Sequence, residues 1–332
     1  MTWLVWRQHR NQALFGAAAL AAFAVLLLIT GLHMASQYHS ALVSCAASRT
    51  CGSLGDTLIL GDRPVVFLIP LTMAVPALVG LFWGAPLVAR EIETGTSQFA
   101  WMQSITRRRW LTVETGWILL AAAAWGGAVS ALVTWWSGPE NALGLQAFSP
   151  GHFDVQGIVP VGYALFAAAL GIAAGTLLRR TLPALAVTLG VFAALRIAIL
   201  DFARPHYMTA ITTTFSMTRP DFTPAGSYWN LATGTVGPNG QVAQSQLRGN
   251  APGLRINGVS LTHIPSACQS LMFNGNPRNL ISCVSAHGYR AFITYQPASR
   301  YWAFQGIETG IFVVLAAALI AVTAITLLRR DA

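Results

Sequence analysis

The sequence predicts an all-α polytopic membrane protein with six transmembrane helices. Hydrophobic residues make up 54% of its 332 residues and charged residues only 9%, whereas a soluble domain carries about 25% charged residues. Six segments each supply the roughly 20 apolar residues that a helix needs to cross a bilayer. This composition excludes an ordinary soluble protein, and it also excludes intrinsic disorder, which needs low hydrophobicity and high net charge.

The predicted spans follow the apolar segments. They lie at residues 12–32, 64–88, 110–136, 158–178, 182–200 and 306–328. Before the first span, Trp3, Trp6 and Arg10 share one side of a helix, so residues 1–11 are predicted to form an amphipathic interfacial helix. A frayed terminus with aromatic anchors is the alternative.

Arginine sets the predicted orientation. All 20 basic residues are arginine. Those that flank spans on one side of the membrane are Arg7, Arg10, Arg90, Arg107, Arg108, Arg109, Arg179, Arg180, Arg329 and Arg330, whereas the short loops on the other side carry only Arg49 and Arg63. The positive-inside rule therefore predicts that both termini are cytoplasmic.

The absence of lysine limits the chemistry of the chain. A P-loop needs a lysine on the nucleotide phosphates, and a protein kinase needs its strand lysine. The chain is therefore predicted not to hydrolyse ATP by itself. The histidine spacing also predicts no metal site, and no catalytic residues are predicted.

The four cysteines, Cys45, Cys51, Cys268 and Cys283, fall in two loops that the arginine pattern places outside. Disulfides persist in such an oxidising compartment. The simplest pairing is local, Cys45 with Cys51 and Cys268 with Cys283, although four cysteines allow three pairings. Four unpaired cysteines are the alternative, and a zinc site fits the spacing less well.

The segment at 201–303 differs in composition from the spans. It is rich in Thr, Ser, Asn, Gly and Pro, and it is long enough to fold as an extracytoplasmic lobe. Within it, residues 289–295 have the β-formers of a strand. The predicted organisation is therefore an interfacial helix at 1–11, spans one to five at 12–200, the lobe at 201–303, and span six with a cytoplasmic tail at 304–332.

The cytoplasmic segment between spans two and three carries the most informative motif. Glu91 and Glu93 end a membrane helix, Gly95 permits a sharp turn, and Thr96 or Ser97 can cap a new helix at about 96–105. That helix presents an apolar surface around Trp101, which is typical of a docking element. An interfacial loop with snorkelling arginines is the alternative.

This segment resembles the permease subunits of ATP-binding-cassette transporters of the type-2, exporter-like class. The resemblance rests on Glu-x-Glu-x-Gly-Thr from Glu91 to Thr96, followed by a short helix and by Ser-x-Thr-Arg from Ser104 to Arg107. The stretches at 3–10 and 295–302 are similar to an actinobacterial branch of that class.

The resemblance implies the partners and the coupling residues. A separate nucleotide-binding ATPase subunit would bind ATP and Mg, while this chain binds no cofactor. A second permease protomer, in a homodimer, and the lipid bilayer of the bacterial cytoplasmic membrane complete the assembly, and no nucleic acid takes part. The implied ATPase-coupling residues are Glu91, Glu93, Gly95, Thr96, Gln98, Phe99, Trp101, Met102, Gln103 and Arg107.

The implied function is efflux of a hydrophobic or amphipathic substrate, such as a drug, antibiotic, peptide or lipid. The residues predicted to line its path are Phe67, Phe82, Trp83, Phe192 and Arg196. Arg196 is expected to snorkel outward or to pair with Asp201 or Glu308. The alternative is a non-transporting immunity or sensor protein that binds a ligand with its outer lobe.

Overall fold

The chain divides into two compact units. Unit 1 comprises Met1–Leu143, Pro150–Arg204 and Trp302–Ala332, and unit 2 comprises Gly144–Ser149 and Pro205–Tyr301. The computed structural model describes residues 2–48, 63–86, 107–142, 148–218, 227–240, 242–246, 254–256, 259–261, 264–271 and 276–329.

Helices dominate the described residues. They are α1 (Thr2–Ser48), α2 (Arg63–Val79), α3 (Arg107–Trp136), α4 (Gly138–Ala142), α5 (Pro150–Phe153), α6 (Val159–Leu178), α7 (Thr181–Ala198), α8 (Pro277–Ala286) and α9 (Tyr301–Arg329). A π-turn at Gly80–Gly84 continues α2, and a second π-turn at Ile199–Ala203 continues α7. A 3₁₀ turn, Arg204–His206, follows the second π-turn.

Five described helical stretches are long and apolar enough to cross a membrane. They are Leu14–Ser40, Leu111–Trp136, Val159–Leu178, Thr181–His206 and Ala298–Leu328, and they coincide with the first, third, fourth, fifth and sixth predicted spans. The second predicted span corresponds to a shorter apolar stretch, Leu68–Gly84. The chain is therefore a multi-pass membrane protein, and the count of six spans stays a prediction.

Helix α1 extends beyond the first predicted span at both ends. It is continuous from Thr2 to Ser48, so described residues of the predicted interfacial helix and the first predicted span lie in one helix, and the interfacial position stays a prediction. Neither glycine nor proline occurs between residues 2 and 15 to interrupt the helix. The backbone of Cys45 lies in this helix rather than in a loop. Cys51 and the side chain of Cys45 lie outside the described residues, so their pairing stays a prediction.

Helix α6 is the most enclosed of the membrane helices, and it packs against α2 with its π-turn, α3 and α7. The closest approach is between small residues. A Cβ on Gly80 would lie 2.6 Å from the carbonyl oxygen of Ala167, and one on Gly171 would lie 2.6 Å from the carbonyl oxygen of Gly80. Small residues allow membrane helices to approach in this way. Through this contact, helix α2, which contains Pro70 and Pro76, packs against α6 at the centre of unit 1.

Unit 2 is built on a sheet, so the all-α prediction holds for unit 1 alone. Its strands are β1 (Ile211–Phe215), β2 (Trp229–Val236), β3 (Val242–Gln246), β4 (Leu254–Ile256), β5 (Val259–Leu261) and β6 (Arg290–Gln296). Four of them form an antiparallel sheet in the order β1-β6-β2-β3, and β4 pairs with β5. The strand predicted at 289–295 is confirmed as β6. β-branched and aromatic residues, which fit a pleated surface, outnumber helix formers in these strands.

The core of unit 2 lies around α8. Leu280 and Val284 of this helix are buried with Met217 and Ala291. A disulfide joins Cys268, at the end of a 3₁₀ turn, to Cys283 of α8. The pairing of Cys268 with Cys283 predicted from sequence is thus confirmed.

Candidate functional site: a buried charge network

The predicted coupling residues fall almost entirely outside the described residues. Residues 87–106 are not described, and these include Glu91, Glu93, Gly95, Thr96, Gln98, Phe99, Trp101, Met102 and Gln103. Arg107 begins α3, but its side chain is not described. The coupling surface therefore stays a prediction.

The structure describes the side chains of four of the five predicted path residues. Phe82 is 65% exposed on the π-turn after α2. Trp83 packs edge-on against Trp125, with ring centroids 6.1 Å apart. Phe192 is buried between the rings of Tyr163 and Phe166, and the side chain of Phe67 lies outside the described residues. Arg196, the fifth predicted residue, leads to the site described next.

Arg196 belongs to a buried network of charges centred on Asp154. Its Nη2 donates to Oδ2 of Asp154 at 2.6 Å, while Nη2 of Arg204 donates to Oδ1 of the same carboxylate at 2.5 Å. The predicted pairing of Arg196 with Asp201 or Glu308 is therefore wrong. The acid that Arg196 binds is Asp154, which lies in the short segment before α6.

Arg204 also binds the second carboxylate of the network, Glu308 of α9. Its Nε donates to Oε2 at 2.8 Å and its Nη2 to Oε1 at 2.6 Å. The hydroxyl of Tyr163 lies 2.5 Å from Oε1 of Glu308 and 3.2 Å from Oδ1 of Asp154. Side chains from α6, α7, α9 and the segment before α6 thus meet in one place.

The π-turn after α7 explains why both arginines face Asp154. Residues eight apart on an α-helix, such as Arg196 and Arg204, lie about 80° apart around the helix axis. A π-turn holds one extra residue, and the turn at Ile199–Ala203 lies between the two arginines. With this extra residue, Arg196 and Arg204 are related around the helix axis as residues seven apart are on a regular α-helix. Residues seven apart lie on one helix face.

Aromatic rings surround the guanidinium groups. The Cζ of Arg196 lies 4.1 Å from the centroid of the Tyr163 ring, and that of Arg204 lies 4.5 Å from the Phe153 ring. Phe312 of α9 packs on Tyr163 at 4.7 Å and also contacts Phe166. These rings exclude water from the network and add cation–π attraction to its ion pairs.

Gln305 fixes the segment that carries Asp154. Its Oε1 accepts from the amides of Ile158 and Val159 at 3.0 and 2.9 Å, which satisfies two donors at the start of α6. Its Nε2 donates to the carbonyls of Phe153 and Gln156 at 3.1 and 3.2 Å. The buried amide of Gln305 thereby ties the segment that carries Asp154 to α9.

The network is formally neutral, because two guanidinium groups face two carboxylates. Asp154 and Arg204 have side chains 3% exposed, Glu308 is 1% exposed and Arg196 is 13% exposed. Buried charges are tolerated when each is paired and hydrogen-bonded. The arrangement can therefore fasten three membrane helices together, and it can also recognise a charged group that replaces one of its members.

The sequence reasoning missed Asp154, Tyr163 and Arg204. It considered Glu308 only as a pairing partner of Arg196. Each of these four lies within a few residues of the end of a predicted span. The available signal was that both acids and arginines occur near the span ends. Such residues are costly in a membrane, so groups of opposite charge are expected to pair. These four residues lie near the start of α6, the end of α7 and the start of α9. The arginine pattern predicts that all three helix ends face outside.

A family model described as "ABC-2 membrane transporter related" matches residues 17–204. The match covers more than half of the chain and includes α2 to α7 with Asp154, Tyr163, Arg196 and Arg204. No curated protein and no solved structure matches the chain.

Proposed function

Because the chain belongs to the ABC-2 membrane transporter related family, we propose that it is the permease subunit of an ATP-binding-cassette exporter. A separate nucleotide-binding subunit binds ATP and Mg, and this chain carries the hydrophobic or amphipathic substrate out of the cytoplasm. The family match over most of the membrane unit is the observation that carries the proposal. The chain itself is a membrane component of the system and not its ATPase.

The cytoplasmic segment between α2 and α3 is proposed to receive the motion of the ATPase. Its turn, from Glu91 to Thr96, redirects the chain, and the following residues at 98–103 supply the contact surface. Transmission requires that this surface contacts the ATPase differently in its two nucleotide states. Helix α2, which contains two prolines and leads into the segment, packs on α6 through the contact between Gly171 and Gly80 of its π-turn. That packing supports α2 as the element that carries the motion into the membrane.

A second copy of the chain is proposed to complete the transport path. Ala186, Gly190, Ala194 and Ala198 follow one another at intervals of four along α7, and all are exposed. Exposed small residues in that spacing suit a close contact between membrane helices. The exposed side chain of Phe82 supports an apolar lining on the π-turn after α2. In this conformation Phe192 serves packing, so the path prediction for it applies to another state.

Replacing Trp101 with aspartate is expected to abolish substrate-stimulated ATP hydrolysis by the purified complex. A charge on the apolar coupling surface removes the contact that the ATPase recognises. The measurement is ATP turnover together with co-purification of a P-loop ATPase from membranes.

The matched control makes the same substitution at Trp302, which is 64% exposed at the start of α9 on the predicted outer side. ATP turnover is expected to be unchanged there. Unchanged turnover and unchanged assembly in Trp101→Asp would contradict the coupling assignment.

Orientation is tested by labelling. With cysteine at Arg180, in the exposed turn between α6 and α7, a membrane-impermeant thiol reagent is expected to label the chain in inverted vesicles and not in intact cells. The wild-type chain, whose own cysteines are predicted to be disulfide-bonded, is the control. Labelling from the outside would place the termini and the coupling segment on the wrong side for an ATPase.

The second candidate function is a non-transporting immunity or sensor protein. The observation that favours it is unit 2, a compact body with its own sheet and disulfide. Ligand binding with no associated ATPase would favour this alternative.

A further inference from the structure

The guanidinium of Arg196 occupies a site that has the chemistry of an organic-cation receptor. It lies 2.6 Å from Oδ2 of Asp154, 4.1 Å from the centroid of the Tyr163 ring and 6.0 Å from that of Phe192. One carboxylate with aromatic faces is the combination that recognises ammonium and guanidinium ligands. An internal cation from α7 fills this place in the structure.

The two arginines of the network are held unequally. Arg204 makes hydrogen bonds to both carboxylates and to the Tyr163 hydroxyl, and its side chain is 3% exposed. Arg196 pairs with Asp154 alone and adds one long contact, 3.4 Å, to the carbonyl of Met73, and its side chain is 13% exposed. Arg196 can therefore leave while Arg204 and Glu308 keep the helices joined.

A small, mostly apolar cavity is lined in part by Asp154. Its volume is about 10 Å³, the space of one water molecule, and its lining includes Val75, Pro76, Val129 and Ala164. These apolar residues come from α2, α3 and α6. A ligand that displaced Arg196 would therefore present its charge to Asp154 and its apolar groups to these helices.

We propose that Asp154, with the rings of Tyr163 and Phe192, is a binding site for the cationic group of an amphipathic organic cation, and that Arg196 is the internal cation that such a ligand displaces. The proposal rests on the proposed transport function, since it names the class of cargo. It gives Arg196 the role of a competitor, and not that of a cargo contact.

Two variants that both lack Arg196 but differ in the net charge of the site can be compared. Arg196→Met leaves two carboxylates facing one guanidinium, so the site gains one net negative charge and loses its competitor. The double variant Arg196→Met with Asp154→Asn also lacks the competitor but is neutral again. The pair separates the effect of charge from the effect of the space that Arg196 leaves.

The test is isothermal titration of the purified permease in nanodiscs of neutral phosphatidylcholine, with empty nanodiscs subtracted. The probes are tetraphenylphosphonium and its anionic counterpart of the same shape, tetraphenylborate. Arg196→Met is expected to bind tetraphenylphosphonium about tenfold more tightly than the wild type. The double variant is expected to lose that gain, and tetraphenylborate is expected to gain nothing in either.

Three results would overturn the proposal. They are no gain in Arg196→Met, an equal gain in the double variant, and an equal gain for tetraphenylborate. Arg196→Gln, which removes the charge but keeps an amide donor on the side chain, is the second variant and is expected to show a smaller gain in the same direction. If neither single variant folds, Arg196 is not displaceable, and the proposal is also overturned.

The two proposals fail separately. The titration uses the permease alone, so a failure there leaves the coupling result at Trp101 unchanged. Conversely, a permease that binds tetraphenylphosphonium as expected but has no ATPase partner would retain the cation site and lose the transport function.

Discussion

Replacing Asp154 with asparagine is expected to lower the free energy of unfolding by about 3–5 kcal/mol. The variant leaves two buried guanidinium groups facing the single carboxylate of Glu308, and it replaces one of the two oxygens that accept from Arg196 and Arg204 with an amide group that can only donate. An uncompensated buried charge costs more than the loss of one ordinary hydrogen bond. Denaturant unfolding in detergent micelles, followed by circular dichroism, measures the change.

The control restores neutrality at the same site. Adding Arg196→Met to Asp154→Asn removes the excess positive charge, so the double variant is expected to regain part of the lost stability. Non-additive energies of this kind are characteristic of residues in direct contact. Equal destabilisation in the single and double variants would show that the charge balance of the network does not determine its stability.

Replacing Gly171 with alanine is expected to cost about 3 kcal/mol, the upper end of the usual cost of overpacking. The added Cβ would lie 2.6 Å from both the amide nitrogen of Ala85 and the carbonyl oxygen of Gly80. Both are backbone atoms, so the clash cannot be relieved by a change of rotamer. Helix α6 and the π-turn after α2 would have to separate. The same unfolding measurement detects this loss.

Gly310 supplies the matched control for Gly171. It also lies in a membrane helix, α9, but an added Cβ there meets no atom within 4 Å. Gly310→Ala is expected to leave stability unchanged within about 1 kcal/mol, because only the backbone entropy of the helix changes. A similar loss in both variants would mean that the close contact at Gly171 is not what makes that position sensitive.

Prediction from sequence succeeded where the signal was local. Five of the six predicted spans coincide with helices of spanning length, since twenty apolar residues in a row have few alternatives in a bilayer. The strand at β6 and the disulfide between Cys268 and Cys283 were also found, because β-forming residues and cysteines fifteen positions apart are visible in one short segment.

Prediction failed where a side chain had several partners within reach. Arg196 was assigned to Asp201 or Glu308 by proximity to span ends, whereas the structure pairs it with Asp154, 42 residues earlier. The first span was predicted to end at about residue 32, whereas its helix continues to Ser48 and the stretch apolar enough to span reaches Ser40. A change in hydropathy marks where a helix leaves an apolar medium, and it does not mark where the helix ends.

By itself the sequence determined that this protein is a multi-pass membrane protein and where most of its spans lie, because apolar length is a property of each segment alone. Tertiary structure decided which charges meet. Arg204 and Glu308 are 104 residues apart in the chain, and their contact depends on the rotation of α7 and α9 about their own axes. The π-turn at Ile199–Ala203 sets that rotation for Arg204. The hydrophobic pattern of the sequence does not reveal one extra residue in a helical turn.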